Sequence, residues 1–230
     1  MAVKQVEESD GVDRQGVVLP PHEGFDLFLP LVEEFGFRDQ RELMERPFFA
    51  LSTSRSKPID YLSPDGKVSV HVSGNSAYGL ATIWDADILI YLTSTLSEMR
   101  RSGRNDIPRR INISGYDLLR ALGRPTGGKN YQLLTDALNR LVSTTIKTNV
   151  RDVKRRESTF SWIDSWSHVV REDEIADHNI GITIELSNWF YEGVSERSVL
   201  SIDPRYFAIR GGIDRWLYRV ARKHAGGHGE

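Results

Sequence analysis

The stretch from Gly123 to Phe160 constrains the fold of this chain more than any other. Apolar residues recur at helical spacing over Lys129–Val142, which predicts an amphipathic helix. Residues Thr144–Val150 alternate and are rich in β-branched side chains, so they predict a strand, and Phe160–Val170 is expected to return as a second strand. The intervening loop, Arg151–Ser158, is basic. A polar-faced helix followed by a basic-tipped hairpin is the layout of a winged helix, in which one helix enters the DNA major groove.

The predicted helix has one apolar side and one polar side. The apolar side, which is expected to face the core, carries Leu133, Leu134, Ala137, Leu138 and Leu141. The polar side carries Gln132, Asp136, Asn139 and Arg140. Amide side chains can hydrogen-bond the edges of bases, and basic side chains can reach guanine or phosphate. The polar side is therefore predicted to read DNA.

Two glycines, Gly127 and Gly128, precede this helix and leave its first backbone amides accessible, which suits a DNA phosphate. The basic loop would hold the neighbouring DNA backbone. The predicted DNA-binding residues are Arg124, Thr126, Gly128, Lys129, Asn130, Gln132, Asn139, Arg140, Arg151, Lys154, Arg155 and Arg156. The alternative is that these side chains only coat a solvated surface, as surface helices and loops often do.

The distribution of charge favours a polyanionic partner. The whole chain has a formal net charge of −2. Residues 100–160, however, carry fourteen bases against five acids, so this window has a charge of +9 and the remainder −11. A basic segment in an otherwise acidic chain points to nucleic acid.

Further elements are predicted on both sides of this stretch. Ser114 is expected to cap a second helix that ends at Gly123, because a short polar side chain suits a helix start and glycine a helix end. Thr82 is the candidate N-cap of a strongly apolar, buried helix. The remaining predicted elements are strands at Arg46–Leu51, Lys67–Ser73, Ile107–Ile113 and Ile180–Leu186, the apolar helix Ile83–Met99 and a basic amphipathic helix Asp214–His224.

The expected fold class is α+β, a winged helix-turn-helix with additional flanking β-strands. Residues 1–38 lack sustained periodicity and contain prolines and several acids, so they are predicted to be a flexible acidic N-terminal arm. Residues 39–203 would form the winged-helix domain with its N-terminal strands. Residues 204–230 would be a basic helix that could begin a second winged-helix module.

Several kinds of chemistry find no support in the sequence. There is no cysteine, so there are no disulfides and no thiolate ligands. The six histidines are scattered and form no paired metal-binding motif, so no metal site is predicted. No catalytic residues and no cofactor are predicted, and the chain is not expected to be an enzyme. No apolar run could span a bilayer and the N-terminus is not a signal peptide, so we expect a cytoplasmic protein that does not bind membranes.

The segment GRPTGGKN (Gly123–Asn130) comes close to a phosphate-binding P-loop. Its last position is Asn130, which lacks the hydroxyl that binds magnesium, and the residues before it predict a helix rather than a strand. Nucleotide hydrolysis is therefore not predicted.

Four segments resemble bacterial plasmid replication initiators of the replication initiator protein A family. They are RDQRELMERPFFALS (Arg38–Ser52), GYDLLRALGRPTGGKNYQLLTDALNRLVSTTIKTNV (Gly115–Val150), FSWIDSW (Phe160–Trp166) and IDRWLYRVARKHAGG (Ile213–Gly227). The resemblance implies a winged-helix initiator that binds repeated sites at a plasmid origin and helps to recruit host replication proteins. Related initiators often contain two winged-helix modules, one of which dimerises, so a homodimer is also implied.

The predicted function is sequence-specific binding of double-stranded DNA at a plasmid replication origin, which would initiate plasmid DNA replication. Two alternatives stay open: a winged-helix transcriptional repressor, and a dimerisation module of an initiator. A palindromic site would favour the repressor and direct repeats the initiator. Dimerisation without any affinity for DNA at low salt would select the dimerisation module.

Overall fold

The computed structural model describes residues 36–54, 57–151, 156–169, 181–196 and 199–225. Its five helices are α1 (Ala86–Arg101), α2 (Gly115–Ala121), α3 (Gly128–Ser143), α4 (Asn188–Glu196) and α5 (Gly212–His224). The predicted N-terminal arm lies outside the described residues up to residue 35. The strand β1 (Phe37–Gln40) begins one residue before the predicted end of the arm at residue 38.

The strands form three separate antiparallel sheets. In the first sheet, β1 pairs with β9 (Val199–Ile202). The second has the order β2 (Ile59–Leu62), β3 (Ser69–Ser73), β5 (Thr145–Thr148) and β6 (Ser158–Phe160). The third has the order β4 (Arg110–Ser114), β8 (Gly181–Leu186) and β7 (Ile163–Val169). Helices combined with antiparallel sheets confirm the predicted α+β class.

The helix α1 is the centre of the fold. It is buried along nearly its whole length, including its threonines and serines, and it packs against β1, α2 and α4. At its start, the Thr82 amide donates to Asp85 Oδ2 at 2.8 Å and the Asp85 amide donates to Thr82 Oγ1 at 3.4 Å. These two bonds close the turn that precedes α1. The N-cap position is Asp85, three residues after the predicted Thr82, and its side chain makes no capping bond to the helix.

The short helix α2 has the predicted boundaries. The Asp117 amide donates to Ser114 Oγ at 3.3 Å, so Ser114 caps the helix. Gly123 follows the last turn with a φ of +65°, a conformation that glycine adopts without a steric cost. Both signals are local in sequence, which is why the prediction was accurate.

The predicted wing hairpin is wrong in its sheet assignment. Residues 160–170 were expected to form one returning strand, but they divide at Trp162 into β6 and β7, which lie in different sheets. Trp162 is fully buried and stacks on Phe49 with ring centroids 4.6 Å apart. Burial of this indole turns the chain out of one sheet and into the next. The β5–β6 hairpin therefore belongs with β2 and β3, whereas β7 pairs with β8.

Two strand predictions near the start of the described chain also change. Arg46–Leu51 makes only an isolated bridge, Ala50 to Thr82, since Phe48 and Phe49 are drawn into the core rather than along a sheet. The strand β2 was not predicted. Its four residues are too few for a clear alternation of apolar and polar side chains.

The last helix, α5, packs with its charges inward. Arg215 and Arg219 are 3% and 2% exposed, whereas Ile213 and Leu217 are 62% and 51% exposed. Arg215 pairs with Asp87 of α1 at 2.6 Å, and Arg219 pairs with Asp39 of β1 at 2.8 Å. The prediction that this helix begins a second module stays a prediction. In the structure it is tied to the first strand and to the central helix.

Candidate nucleic-acid interface

The helix α3 is mounted on the rest of the protein by its apolar side. Leu134, Ala137, Leu138 and Leu141 are at most 2% exposed and join the main core. Among the neighbouring elements, α3 packs mainly against β7. The opposite side of the helix, especially in its first two turns, faces outward.

Arg140 was predicted to contact DNA, but the structure gives its side chain a partner inside the protein. Its guanidinium donates from Nε to Asp85 Oδ2 at 2.7 Å and from Nη2 to Asp85 Oδ1 at 2.8 Å. The hydrogen bonds to Asp85 raise the pKa of Arg140, against the opposing effect of burial. This bidentate pair ties the C-terminal half of α3 to the start of α1.

Arg124, in the turn before α3, is held in a similar way. It donates to Asp87 Oδ2 at 2.7 Å and to the Trp84 carbonyl oxygen at 2.8 Å. Burial raises the pKa of Asp87, although Arg215 and Arg124 both oppose that shift. The Asp87 carboxylate thus joins the turn before α3 to α5 through two arginines.

Asn139 was also expected to read DNA. Its side-chain oxygen accepts a hydrogen bond from Trp166 Nε1 of β7 at 3.2 Å. The residue is partly buried at this contact and fixes α3 against the three-stranded sheet. Arg140, Arg124 and Asn139 together hold α3 rather than project from it.

Arg151 lies at the start of the predicted basic loop, but its side chain faces the protein, and its predicted contact with DNA stays a prediction. Its side chain is 8% exposed and donates to Glu42 Oε2 and to Gln40 Oε1, both at 2.5 Å. It also donates to the Trp189 carbonyl oxygen, and its guanidinium lies 3.5 Å from the centroid of the Trp189 ring. These contacts make Arg151 a packing residue. Sequence separations of 38 to 111 residues explain why pattern reading missed them.

Of the other predicted wing residues, Lys154 and Arg155 lie outside the described residues. Arg156 is exposed in the loop that joins β5 to β6. The β5–β6 hairpin belongs to the four-stranded sheet, whereas α3 packs against β7 of the three-stranded sheet.

Acids neutralise part of the basic window of the sequence, since six of its fourteen bases form ion pairs within the described residues. Most of these acids lie outside residues 100–160, so the window's charge of +9 overstates the bare positive surface. The ion pairs among the described residues are Arg101–Glu98, Arg109–Asp164, Arg109–Glu185, Arg124–Asp87, Arg140–Asp85, Lys147–Glu157 and Arg151–Glu42.

The outward side of α3 has a definite composition. We define the α3 outer face as Gly128, Lys129, Gln132, Leu133 and Asp136. Lys129 is exposed and makes no ion pair with any described residue. Gln132 is exposed and donates from Nε2 to Asp136 Oδ1 at 3.0 Å. Leu133, predicted to be core, is 48% exposed and is a correction to the helix-face assignment.

The start of α3 is open. A Cβ atom added at Gly127 or Gly128 would meet nothing within 4 Å, and the φ of Gly127 is −78°, which any residue can adopt. The fold itself therefore does not require glycine here. Thr126 and Asn130 flank this start as half-buried residues, so the structure brings Thr126, Gly128, Lys129, Asn130 and Gln132 together at one end of α3.

The described ranges contain neither a cluster of metal-ligating side chains nor a membrane-spanning helix. No group of three or more potential metal-ligating side chains occurs there. None of the described helices has the length and apolar character needed to cross a membrane.

Comparison with known proteins gives consistent matches. The model of the family Replication initiator protein A matches residues 38–230. A protein of Wigglesworthia glossinidia brevipalpis named "Putative replication protein" is 35% identical over 195 residues, which cover 83% of this chain and 68% of that protein.

Solved structures show a related fold at low sequence identity. A crystal structure of domains 2 and 3 of RctB matches with a TM-score of 0.57 at 13% identity, over 83% of this chain and 72% of that one. A second structure of RctB domains 2–3 matches with a TM-score of 0.53 at 13% identity, over 78% and 69%. The family model and the sequence relative both cover most of the chain. The chain therefore belongs to the replication initiator protein A family.

Proposed function

We propose that this protein binds double-stranded DNA sequence-specifically at a plasmid replication origin and thereby initiates plasmid replication. The observation that carries the proposal is the α3 outer face on a chain of this family. The helix is fixed from behind by buried leucines and by bonds to Asp85 and Trp166, while its first two turns stay open. A rigid helix with an accessible polar N-terminal half suits insertion into the major groove.

We assign the wing to different strands than the sequence suggested, while the helices of the motif stay as predicted. The first three helices and the strands of the three-stranded sheet follow one another in the order α1, β4, α2, α3, β7 and β8. The strands β5 and β6, which lie between α3 and β7, belong to another sheet. In this proposal α2 and α3 are the helix-turn-helix, and β7 and β8 replace the β5–β6 hairpin as the wing strands. The connection between them, residues 170–180, lies outside the described residues.

Each residue of the open end has a role in the proposal. The amides at the start of α3 and the Lys129 ammonium would bind backbone phosphates, which fixes the position of the helix on the duplex. Gln132 could pair with N7 and N6 of adenine once its bond to Asp136 is released. Asp136 repels phosphate and can accept from the amino group of cytosine.

The wider proposal concerns assembly. Several copies would load on repeated origin sites, with homodimerisation and host replication proteins as further partners. The protein would act by binding, without a catalytic step or a cofactor, in the cytoplasm where plasmid DNA lies.

Fluorescence anisotropy on labelled duplexes tiled across the plasmid origin tests the proposal. Preferential binding to duplexes that share a direct repeat would support an initiator, and preference for one palindromic operator would favour a repressor. Equal weak binding to all duplexes, or none at low salt, would overturn sequence-specific recognition. Dimerisation measured by sedimentation in that last case would identify a dimerisation module.

A further inference from the structure

The α3 outer face contains one apolar side chain among polar ones. Leu133 is 48% exposed, whereas Leu134, its neighbour in sequence, is 2% exposed. On an α-helix Leu133 lies one turn from Lys129, at a spacing of four residues, and follows Gln132 directly. Helical side chains lean toward the N-terminus, so Leu133 covers the turn that begins with Lys129.

The exposure of Leu133 does not result from a loosely packed helix. The anchors on both flanks of α3, Arg140 to Asp85 and Asn139 to Trp166, fix its rotation about its own axis. With that rotation fixed, the isobutyl group points away from the core into the space in front of the helix. Anything that meets the first two turns of α3 must meet Leu133 along with Lys129 and Gln132.

The DNA major groove offers one apolar group that a leucine can contact, the C5-methyl of thymine. The other base edges in that groove present hydrogen-bond donors and acceptors, which a leucine would leave unpaired. The side chain beside it, Gln132, is suited to adenine, so these neighbours are compatible with a site rich in A·T pairs.

We propose that Leu133 is a specificity residue that packs on the C5-methyl of a thymine in the major groove and so selects thymine at that position of the site. The inference rests on the proposed DNA-binding function and adds to it the chemical group that one residue reads. It concerns a contact to a base, and so it is independent of the phosphate contacts at the start of α3.

The test removes the proposed contact in two ways, once by changing the DNA and once by changing the protein. A random duplex pool is first used to select the preferred site of the wild-type protein, and each thymine in that site is then replaced singly by deoxyuridine, which lacks only the methyl. At one thymine, uracil should weaken binding about fourfold, the effect expected for losing burial of one methyl-sized group. Leu133→Ala should weaken binding to the thymine site, and uracil at that same position should cause it no further loss.

Leu62→Ala is the matched control. Leu62 is 64% exposed on β2, outside α3, so its truncation should leave the full uracil effect in place. Because Leu133 is exposed, Leu133→Ala should keep the parent's melting temperature, which separates a lost contact from a lost fold.

The outcomes are distinguishable. Specific binding in which no thymine responds to uracil, or in which Leu133→Ala retains the whole uracil effect at every position, would overturn the Leu133 assignment and leave the proposed function intact. Failure of the wild-type protein to select any site at low salt would overturn the proposed function, and the Leu133 inference with it.

Discussion

The Arg140 guanidinium makes two parallel hydrogen bonds to the Asp85 carboxylate, at 2.7 and 2.8 Å. Asp85 is nearly buried, with 4% of its side chain exposed, and Arg140 is 23% exposed. Charge-assisted bonds of this bidentate geometry are among the stronger polar contacts in proteins. They fix α3 to α1 across 55 residues of sequence.

Arg140→Ala should destabilise the protein by about 3 kcal/mol, because it leaves the Asp85 charge buried with the Thr82 amide as its one remaining partner among the described residues. Urea denaturation measures the loss. The double variant with Asp85→Ala should lose less than the sum of the two single changes, with a coupling of about 1–3 kcal/mol. Additive losses would show that the interaction between the two side chains does not stabilise the protein.

Arg219→Ala should destabilise the protein by about 3–5 kcal/mol, since Asp39 would be left buried without its counter-charge. Burial already raises the pKa of Asp39 despite the nearby Arg219. Replacing both residues by apolar ones, Asp39→Leu with Arg219→Met, should recover most of the loss.

Arg222→Ala on the same helix is the control for this experiment. Within the part of the chain that the structure describes, the Arg222 side chain bonds to Ser201 alone, at the surface, so its loss should cost no more than about 0.5 kcal/mol. If Arg219→Ala were as mild as Arg222→Ala in thermal denaturation, the inward-facing charges of α5 would not stabilise its docking.

Gly128→Ala should have opposite effects on folding and on binding. A Cβ at this position meets nothing and alanine favours a helix, so the protein should gain about 0.5–1 kcal/mol in stability. If a phosphate approaches the first amides of α3, the added methyl should weaken DNA binding. Denaturation measures the gain in stability, and anisotropy on the same preparation measures the loss of DNA affinity. Unchanged affinity would show that no phosphate binds at this position.

The Glu45 carboxyl should make stability depend on pH. Burial pushes its pKa upward, but the hydrogen bond and charge of Lys223, together with Arg46 and His224, outweigh burial and hold the pKa below the usual value of 4.5. A depressed pKa in the folded state means that the stabilisation is present above about pH 4.5 and is lost as the pH falls through the folded pKa.

Melting temperatures of the wild type and of Glu45→Gln, measured from pH 7 to pH 3, test this assignment. The wild type should be more stable at pH 7, and the difference should shrink as the pH falls. A difference that stays constant over the whole range would show that the Glu45 charge does not contribute.

Local signals in the sequence predicted local structure well. The cap at Ser114, the glycine end at Gly123 and the span of α3 all depend on residues within one or two turns, and the structure has them as expected. The α+β class followed from the same patterns.

The errors arise where contacts between residues distant in sequence determine the structure. A period-2 pattern could not show that Trp162 would be buried against Phe49 and would divide one predicted strand between two sheets. Composition could not show that Arg151 would meet Glu42, which lies 109 residues away in the chain. Leu133 is predicted to be buried because helical spacing locates the apolar side of a helix but does not show which residues at its margin are exposed.

The most direct test of DNA binding by α3 is the salt dependence of anisotropy for Lys129→Ala on the selected site. Losing one phosphate contact should lower the magnitude of the log–log salt slope by roughly one. Lys67→Ala is the matched control, because Lys67 is an exposed lysine outside α3 that forms a surface ion pair with Asp65. A flatter slope for Lys129→Ala, with the wild-type slope for Lys67→Ala, is the predicted result. Identical slopes for all three proteins would contradict binding through α3.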